Sequence, residues 1–113
     1  MSHTVKWLFS FTLAVSSVSS QAQSWPAKPI RLITPYPPGG PTDILSRLFA
    51  QRMELGQPIL VEARAGAGGN VGTDMVAKSA PDGYTLVMGA SGPLAINASL
   101  FKKLPYEIGR AHV

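Results

Sequence analysis

Thr42 and Asp43 stand where a small anion could bind, at the start of a helix that follows a strand and a turn rich in proline and glycine. The first N–H groups of a helix have no acceptor within the helix, and the positive end of the helix dipole lies behind them. Phosphate, sulfate and carboxylate groups bind in such places. Residues 35–43 therefore predict an anion site, in which Thr42 is also suited to cap the helix and Asp43 to complement its dipole.

Two further glycine-rich segments, residues 64–72 and 89–95, follow the second and third apolar runs of the chain. A loop that only reverses direction does not require several glycines, so we interpret them as places where the backbone closely approaches a ligand. The three segments together predict a site built from backbone groups.

The glycines of the second segment do not fit a nucleotide-binding motif. After Gly66 and Gly68, a dinucleotide fingerprint requires a third glycine at position 71, where the chain has Val71, and Gly72 comes one residue late. The third strand ends without the acidic residue that would bind a ribose, and no lysine follows the glycines as in a P-loop. The spacing argues against a nucleotide ligand.

The residues needed for catalysis or metal binding are also missing from the sequence pattern. The chain has no cysteine, and its histidines lie near the ends, at His3 and His112. The carboxylates are dispersed, and Ser91 is not in the G-x-S-x-G context of a nucleophile elbow. We predict a protein that is not an enzyme and that uses neither a metal ion nor another cofactor.

Hydrophobic patterning places the three segments at one edge of a parallel sheet. Strands are predicted at residues 30–34, 59–62 and 84–88, and helices at 43–53 and 71–79. The residues predicted to face the core from the helices are Ile44, Leu45, Leu48, Phe49, Met53, Val71, Met75 and Val76. The β-α-β-α-β order predicts a doubly wound α/β fold with the first strand in the middle, and ligands in such sheets bind beyond the carboxyl ends of the strands.

The first residues have the order of a secretory signal peptide: a short basic start, an apolar core at residues 7–15 and small polar residues after it. We predict cleavage after Ala22 and a periplasmic protein. A membrane anchor is the alternative, but the apolar core is much shorter than the ~20 residues that span a bilayer. The absence of cysteine is compatible with export.

The charge pattern argues against nucleic acid as a partner. The formal net charge is +4, but the basic residues are scattered and only Lys102 and Lys103 are adjacent. Residues 107–113 differ in style from the preceding sequence and match one reading frame of a sequencing adapter, so we predict a non-native tail and assign no role to His112.

Several segments together resemble the Bug (TctC) family, the substrate-binding proteins of tripartite tricarboxylate transporters. They are Trp25-Pro26-Ala27-Lys28-Pro29-Ile30, residues 35–43, Gly66-Ala67-Gly68-Gly69-Asn70, Ala80-Pro81-Asp82-Gly83-Tyr84-Thr85 and Lys103-Leu104-Pro105-Tyr106. The resemblance implies a type II periplasmic-binding-protein-like fold of two α/β domains, with residues 23–106 forming the N-terminal part of the first domain. It also implies ligand contacts from Tyr36, Gly39, Gly40, Thr42, Asp43, Gly68, Gly69, Ser91 and Gly92.

The resemblance implies capture of a small carboxylate for uptake: a di- or tricarboxylate, an amino acid or an aromatic acid. It implies a tripartite tricarboxylate membrane permease as a partner and a monomeric receptor, here as an N-terminal fragment. Two alternatives remain open. One is an exported α/β enzyme whose catalytic residues lie in a missing C-terminal part, and the other is a signalling or scaffold subunit without a ligand.

Overall fold

The computed structural model describes residues 24–107. The predicted leader at residues 1–22, and the predicted tail beyond Glu107, lie outside the described residues. The helices and strands are β1 (Ile30–Thr34), α1 (Pro41–Arg52), β2 (Ile59–Ala63), a 3₁₀ turn (Ala67–Gly69), α2 (Asn70–Ala77), β3 (Thr85–Val87), a π-helical turn (Gly92–Ile96) and α3 (Asn97–Leu100).

The three strands form a parallel sheet in the order β2-β1-β3. Leu32 of β1 lies in register with Val61 of β2 and Leu86 of β3. The crossover from β1 to β2 and the crossover from β2 to β3 run in opposite directions across the sheet, so right-handed connections place α1 and α2 on opposite faces. The predicted parallel α/β architecture, with the first strand in the middle, is confirmed.

β1 is the centre of the core. Ile30 and Ile33 are fully buried and Leu32 is nearly so, because β1 has a strand on each side and a helix over each face. Such a strand has no solvent-facing side, which explains its almost continuous apolar sequence.

The prediction that the apolar side of α1 faces the core is wrong. Within residues 24–107, Ile44, Leu45, Leu48, Phe49 and Met53 are exposed by 37 to 60%. α1 packs on β1 and β2 through the side that carries Asp43 and Ser46, whose polar atoms form hydrogen bonds inside the helix and its preceding turn.

The prediction for α2 is wrong at Val71, which is 51% exposed, whereas Met75 and Val76 are half-buried. The buried side carries Asn70, Gly72 and Thr73. Gly72 determines which side of α2 is buried, because the absence of a side chain lets the helix backbone pack against the chain that leaves β1.

The observed limits of α1, α2, β2 and β3 differ by one or two residues from the predictions, and two differences concern the site. α1 begins at Pro41 after Gly40 as N-cap, so Thr42 is not the cap; proline is favoured at the first helical position because its φ is preset and its missing N–H is not needed there. Residues 89–95 are not entirely a loop, because a helical turn begins at Gly92, with Pro93 as its second residue, where the missing N–H is not needed either.

The stability of the sheet will depend on pH through Glu62 of β2. Its carboxylate accepts hydrogen bonds from Arg31 of β1, at 2.8 and 3.0 Å, and from Arg64 at 3.2 Å. These bonds, that of Arg31 first, lower the pKa of Glu62 from 4.5 to about 2. A carboxyl whose pKa is lower in the folded state stabilises that state above its unfolded pKa, so this contribution will be lost as the pH falls from 4.5 towards 2.

We expect Glu62→Gln to flatten this part of the pH profile of the free energy of unfolding, measured in urea between pH 2 and pH 7. Glu54→Gln makes the same change at an exposed position and serves as the control. Identical slopes for wild type and Glu62→Gln below pH 4.5 would contradict the assignment to Glu62.

Within the part of the chain that the structure describes, no helix is both long and apolar enough to span a bilayer.

Candidate anion-binding site

Three loops meet at the carboxyl edge of the sheet, as predicted. Tyr36 follows β1, Gly69 follows β2 and Gly92 follows β3. The Tyr36 hydroxyl lies 2.7 Å from where a Cβ on Gly92 would stand, and ring atom Cζ lies 3.4 Å from the corresponding point on Gly69. The same point on Gly92 is 3.3 Å from the Gly68 carbonyl oxygen. Tyr36 thus fills the space between the second and third loops.

Glycine is required where these loops touch. Gly69 has a φ of +95°, in the left-handed region, and a Cβ there would lie 3.0 Å from Cγ of the buried Pro93. A Cβ on Gly92 would stand too close to the Tyr36 hydroxyl. Both glycines allow backbone and ring to approach more closely than any side chain would permit.

The N-terminus of α1 presents free N–H groups at the end of the loop that begins with Tyr36. Gly40 is the N-cap and provides no side-chain cap, and Pro41 has no N–H. The first intrahelical bond runs from the Ile44 N–H to the Gly40 carbonyl at 3.0 Å. The N–H groups of Thr42 and Asp43 therefore have no acceptor within the helix, and the helix dipole favours an anion near them.

The side chain of Asp43 holds the turn that precedes α1. It is 4% exposed, and its Oδ2 accepts hydrogen bonds from the Gly39 N–H and from Nε of Arg47, both at 3.0 Å. The Arg47 bond, then the Gly39 bond, lower the pKa of Asp43, so the carboxyl is ionised at neutral pH. Arg47 offsets its charge, and Gly39, at φ +84°, supplies the left-handed turn residue. Any contact of Asp43 with an anion must come from its N–H.

The sequence-predicted residues therefore form two groups. Tyr36, Gly68, Gly69 and Gly92 meet at the loop junction, and Ser91 stands next to Gly92 with an exposed side chain. Gly39, Gly40, Thr42 and Asp43 surround the start of α1. The groups available to an anion are the hydroxyls of Tyr36 and Ser91 and the N–H groups at the start of α1. The Gly69 N–H is already donated to the Gly66 carbonyl at 3.0 Å.

Three buried polar residues behind the junction were not singled out from the sequence: Asn70, Asn97 and Tyr106, which we call the amide cluster. Asn97 Nδ2 donates to Asn70 Oδ1 at 2.7 Å, and the Tyr106 hydroxyl lies 2.8 Å from both Asn70 Oδ1 and the Pro93 carbonyl oxygen. Burial, and then the charges of Asp74 and Tyr36, raise the pKa of Tyr106, which keeps it a donor. Asn70 and Tyr106 lie in segments that carry the family resemblance, and this was the available signal.

Within residues 24–107, no three side chains among His, Asp and Glu come together as they would around a metal ion. Neutral donors and a helix N-terminus are suited to hold an anion reversibly.

Comparison with known proteins identifies the family to which this sequence is similar. Residues 45–111, more than half of the chain, match the family model described as the tripartite tricarboxylate transporter family receptor, TctC. Protein BugT of Bordetella pertussis is 51% identical over 90 residues, which are 77% of this chain and 28% of that protein.

Two solved structures from Rhodopseudomonas palustris have the same fold in this region. The MatC protein with bound malate aligns with a TM-score of 0.69 and 42% identity, over 72% of this chain and 28% of that one. A second protein, solved with adipate, aligns with a TM-score of 0.70 and 36% identity, over 74% of this chain and 28% of that one. The chain thus spans less than a third of the length of each of these relatives.

The family match, the identity to BugT and the shared fold agree with the resemblance found in the sequence, and they favour a receptor over an exported enzyme. The chain belongs to the tripartite tricarboxylate transporter receptor family, also known as the Bug or TctC family.

Proposed function

We propose that this chain forms one wall of a ligand cleft in a solute-binding protein that captures a small carboxylate for uptake. The observation that carries the proposal is the junction of Tyr36, Gly69 and Gly92, together with the uncapped start of α1 at the end of the loop that contains Tyr36. It offers hydroxyl and N–H donors to a carboxylate without an opposing cation. Since no salt bridge to the ligand has to be broken on release, such a site suits reversible delivery.

The relatives indicate the ligand class. The two R. palustris proteins are bound to malate and to adipate, both dicarboxylates, and they align with 72 to 74% of this chain. We therefore place di- and tricarboxylates first among the ligands to test, with amino acids and aromatic acids after them. The remaining length of such a protein would supply the opposite wall of the cleft.

The rest of the proposal rests on the family for the receptor and its permease, and on the sequence pattern for the leader and the tail. Residues 1–22 act as a leader for export to the periplasm, the mature receptor is a monomer that performs no chemistry, and a tripartite tricarboxylate permease accepts its ligand. Residues 107–113 have no part in binding. The receptor would require neither a metal ion nor a nucleic acid.

Isothermal titration calorimetry of the purified protein against malate and adipate tests the function. Because the chain spans 28% of the malate-bound relative, the same titration should be made on a chimera in which residues 24–107 replace the matched segment of that protein. We expect the chimera to bind a dicarboxylate, and Tyr36→Phe to weaken that binding about tenfold through loss of one donor to a charged group.

Tyr84→Phe is the matched control. The Tyr84 hydroxyl accepts a hydrogen bond from the Ala27 N–H at 2.7 Å. Tyr84 comes just before β3, so it lies at the opposite edge of the sheet from the junction. The substitution should leave the affinity unchanged. A folded chimera that binds none of the tested carboxylates would reject the proposed function, and equal losses from both tyrosine variants would reject this position for the site.

A further inference from the structure

The amide cluster connects parts of the chain that are far apart in sequence. Asn70 and Asn97 are each 4% exposed and Tyr106 is 9% exposed, so their hydrogen bonds are made away from water. Asn70 opens α2 and Asn97 opens α3. A buried polar group without a partner is costly, so this cluster fixes the relative positions of the two helices and Tyr106.

The cluster also contacts the backbone of two binding loops. Asn97 Nδ2 donates a second hydrogen bond, at 3.1 Å, to the Gly68 carbonyl. The Tyr106 hydroxyl lies 2.8 Å from the carbonyl oxygen of Pro93. Gly68 and Pro93 are the immediate neighbours of Gly69 and Gly92, against which Tyr36 packs. A change in the cluster will therefore be transmitted directly to the loop junction.

The carbonyl groups of Gly66, Gly68 and Gly69 each accept a hydrogen bond from within the chain. The Gly66 carbonyl accepts from the Gly69 N–H at 3.0 Å, and the Gly69 carbonyl accepts from the Thr73 hydroxyl at 2.9 Å. Both donors are within four residues of their acceptors. The Gly68 carbonyl depends instead on Asn97, 29 residues away.

The Gly68–Gly69 peptide is the part of the loop that most needs an external restraint. Its residues have φ values of +63° and +95°, and glycine adopts either sign of φ with little penalty. Rotation of this peptide would release a carbonyl oxygen at the junction, where Gly68 O already lies 3.3 Å from the Cβ position on Gly92. A free carbonyl dipole there would repel a carboxylate.

We propose that Asn97, held by Asn70 and Tyr106, is a positioning residue of the anion site: it keeps the Gly68–Gly69 peptide in the orientation in which the carbonyl is engaged, so that the junction presents donors to the ligand. The proposal rests on the proposed function, because it assumes that the ligand is an anion bound at this junction.

Two measurements on the full chain and on the chimera test the proposal. The first is amide hydrogen exchange of Gly68 and Gly69, with Leu32 and Ile33 of β1 as internal references. The second is the affinity for malate. Asn97→Asp replaces Nδ2, the donor, with an oxygen that faces the Gly68 carbonyl oxygen and Asn70 Oδ1. Tyr106→Phe is the milder variant should Asn97→Asp not fold. Tyr84→Phe again removes one hydroxyl outside the site.

We expect Tyr106→Phe to accelerate exchange at Gly69 about tenfold relative to β1 and to weaken malate binding by a similar factor, whereas Tyr84→Phe changes neither. Faster exchange spread equally over the glycine loop and β1 would overturn the proposal, since it would indicate general destabilisation. So would local exchange without loss of affinity. A wild-type chimera that binds no carboxylate rejects the proposed function, and the exchange data then still decide whether Asn97 restrains the loop.

Discussion

Gly92→Ala is expected to remove most of the anion binding by displacing Tyr36. The new Cβ would stand 2.7 Å from the Tyr36 hydroxyl oxygen and 3.3 Å from the Gly68 carbonyl oxygen. Gly92 is not one of the glycines with a positive φ, so the cost is steric. Overpacking of this kind costs about 1–3 kcal/mol of stability. The Tyr36 ring must move, and we expect calorimetry with malate to show a loss of affinity of about tenfold or more, as for loss of a hydrogen bond to a charged group.

The double variant Tyr36→Phe/Gly92→Ala separates the steric effect from the loss of a ligand donor. Without the hydroxyl, the closest contact of the new methyl group disappears, so the double variant should regain most of the stability lost in Gly92→Ala. It should not regain affinity, because the hydroxyl is a proposed donor to the ligand. Wild-type affinity in Gly92→Ala would contradict the proposed junction, and a double variant as unstable as Gly92→Ala would place the clash elsewhere.

The strands could be predicted from the sequence because prolines and turns mark their limits. The predicted strand at residues 30–34 coincides with β1, between Pro29 and Pro35. A short apolar run between such residues has few alternatives to a buried strand. Once the strands alternate with helices, right-handed crossovers allow few sheet orders, and the predicted one is observed.

The buried face of α1 could not be predicted in this way. Amphipathic spacing identifies the apolar side of a helix, but it does not say which neighbouring element covers that side. In α1 the residues that pack on the sheet are Asp43 and Ser46, whose Oδ2 and hydroxyl oxygen form hydrogen bonds within the helix and its preceding turn. Such local hydrogen bonds cannot be recognised from the periodicity of hydrophobic residues.

The position of the candidate site was predictable, but the groups it offers were not. Glycine-rich segments after successive parallel strands must meet at one edge, and those around Tyr36, Gly69 and Gly92 do. Which N–H groups are free depends on hydrogen bonds between specific atoms. Gly39 donates to Asp43, and Gly69 donates to Gly66. Sequence spacing does not determine either bond.

Gly72→Ala is expected to destabilise the fold, because it would press α2 against backbone atoms of two other segments. A Cβ on Gly72 would stand 2.8 Å from the Arg64 carbonyl oxygen and 3.0 Å from Cα of Pro35. Both are backbone atoms, which cannot rotate away as a side chain can. Alanine would gain about 1 kcal/mol in helix propensity, but overpacking against rigid backbone should cost about 3 kcal/mol, so we expect a net loss of about 2 kcal/mol in urea unfolding.

Gly40→Ala is the matched control for this prediction. Its Cβ would meet only the Pro37 carbonyl oxygen at 3.5 Å, an ordinary contact, and the loss of glycine at an N-cap should cost no more than about 1 kcal/mol. Equal losses in the two variants would show that α2 does not need its close approach to the chain after β1. A Gly72→Ala protein with wild-type stability would mean that α2 can move away from Pro35 and Arg64 without cost. In that case the small residue at position 72 would not explain why the buried side of α2 is the one carrying Asn70 and Thr73.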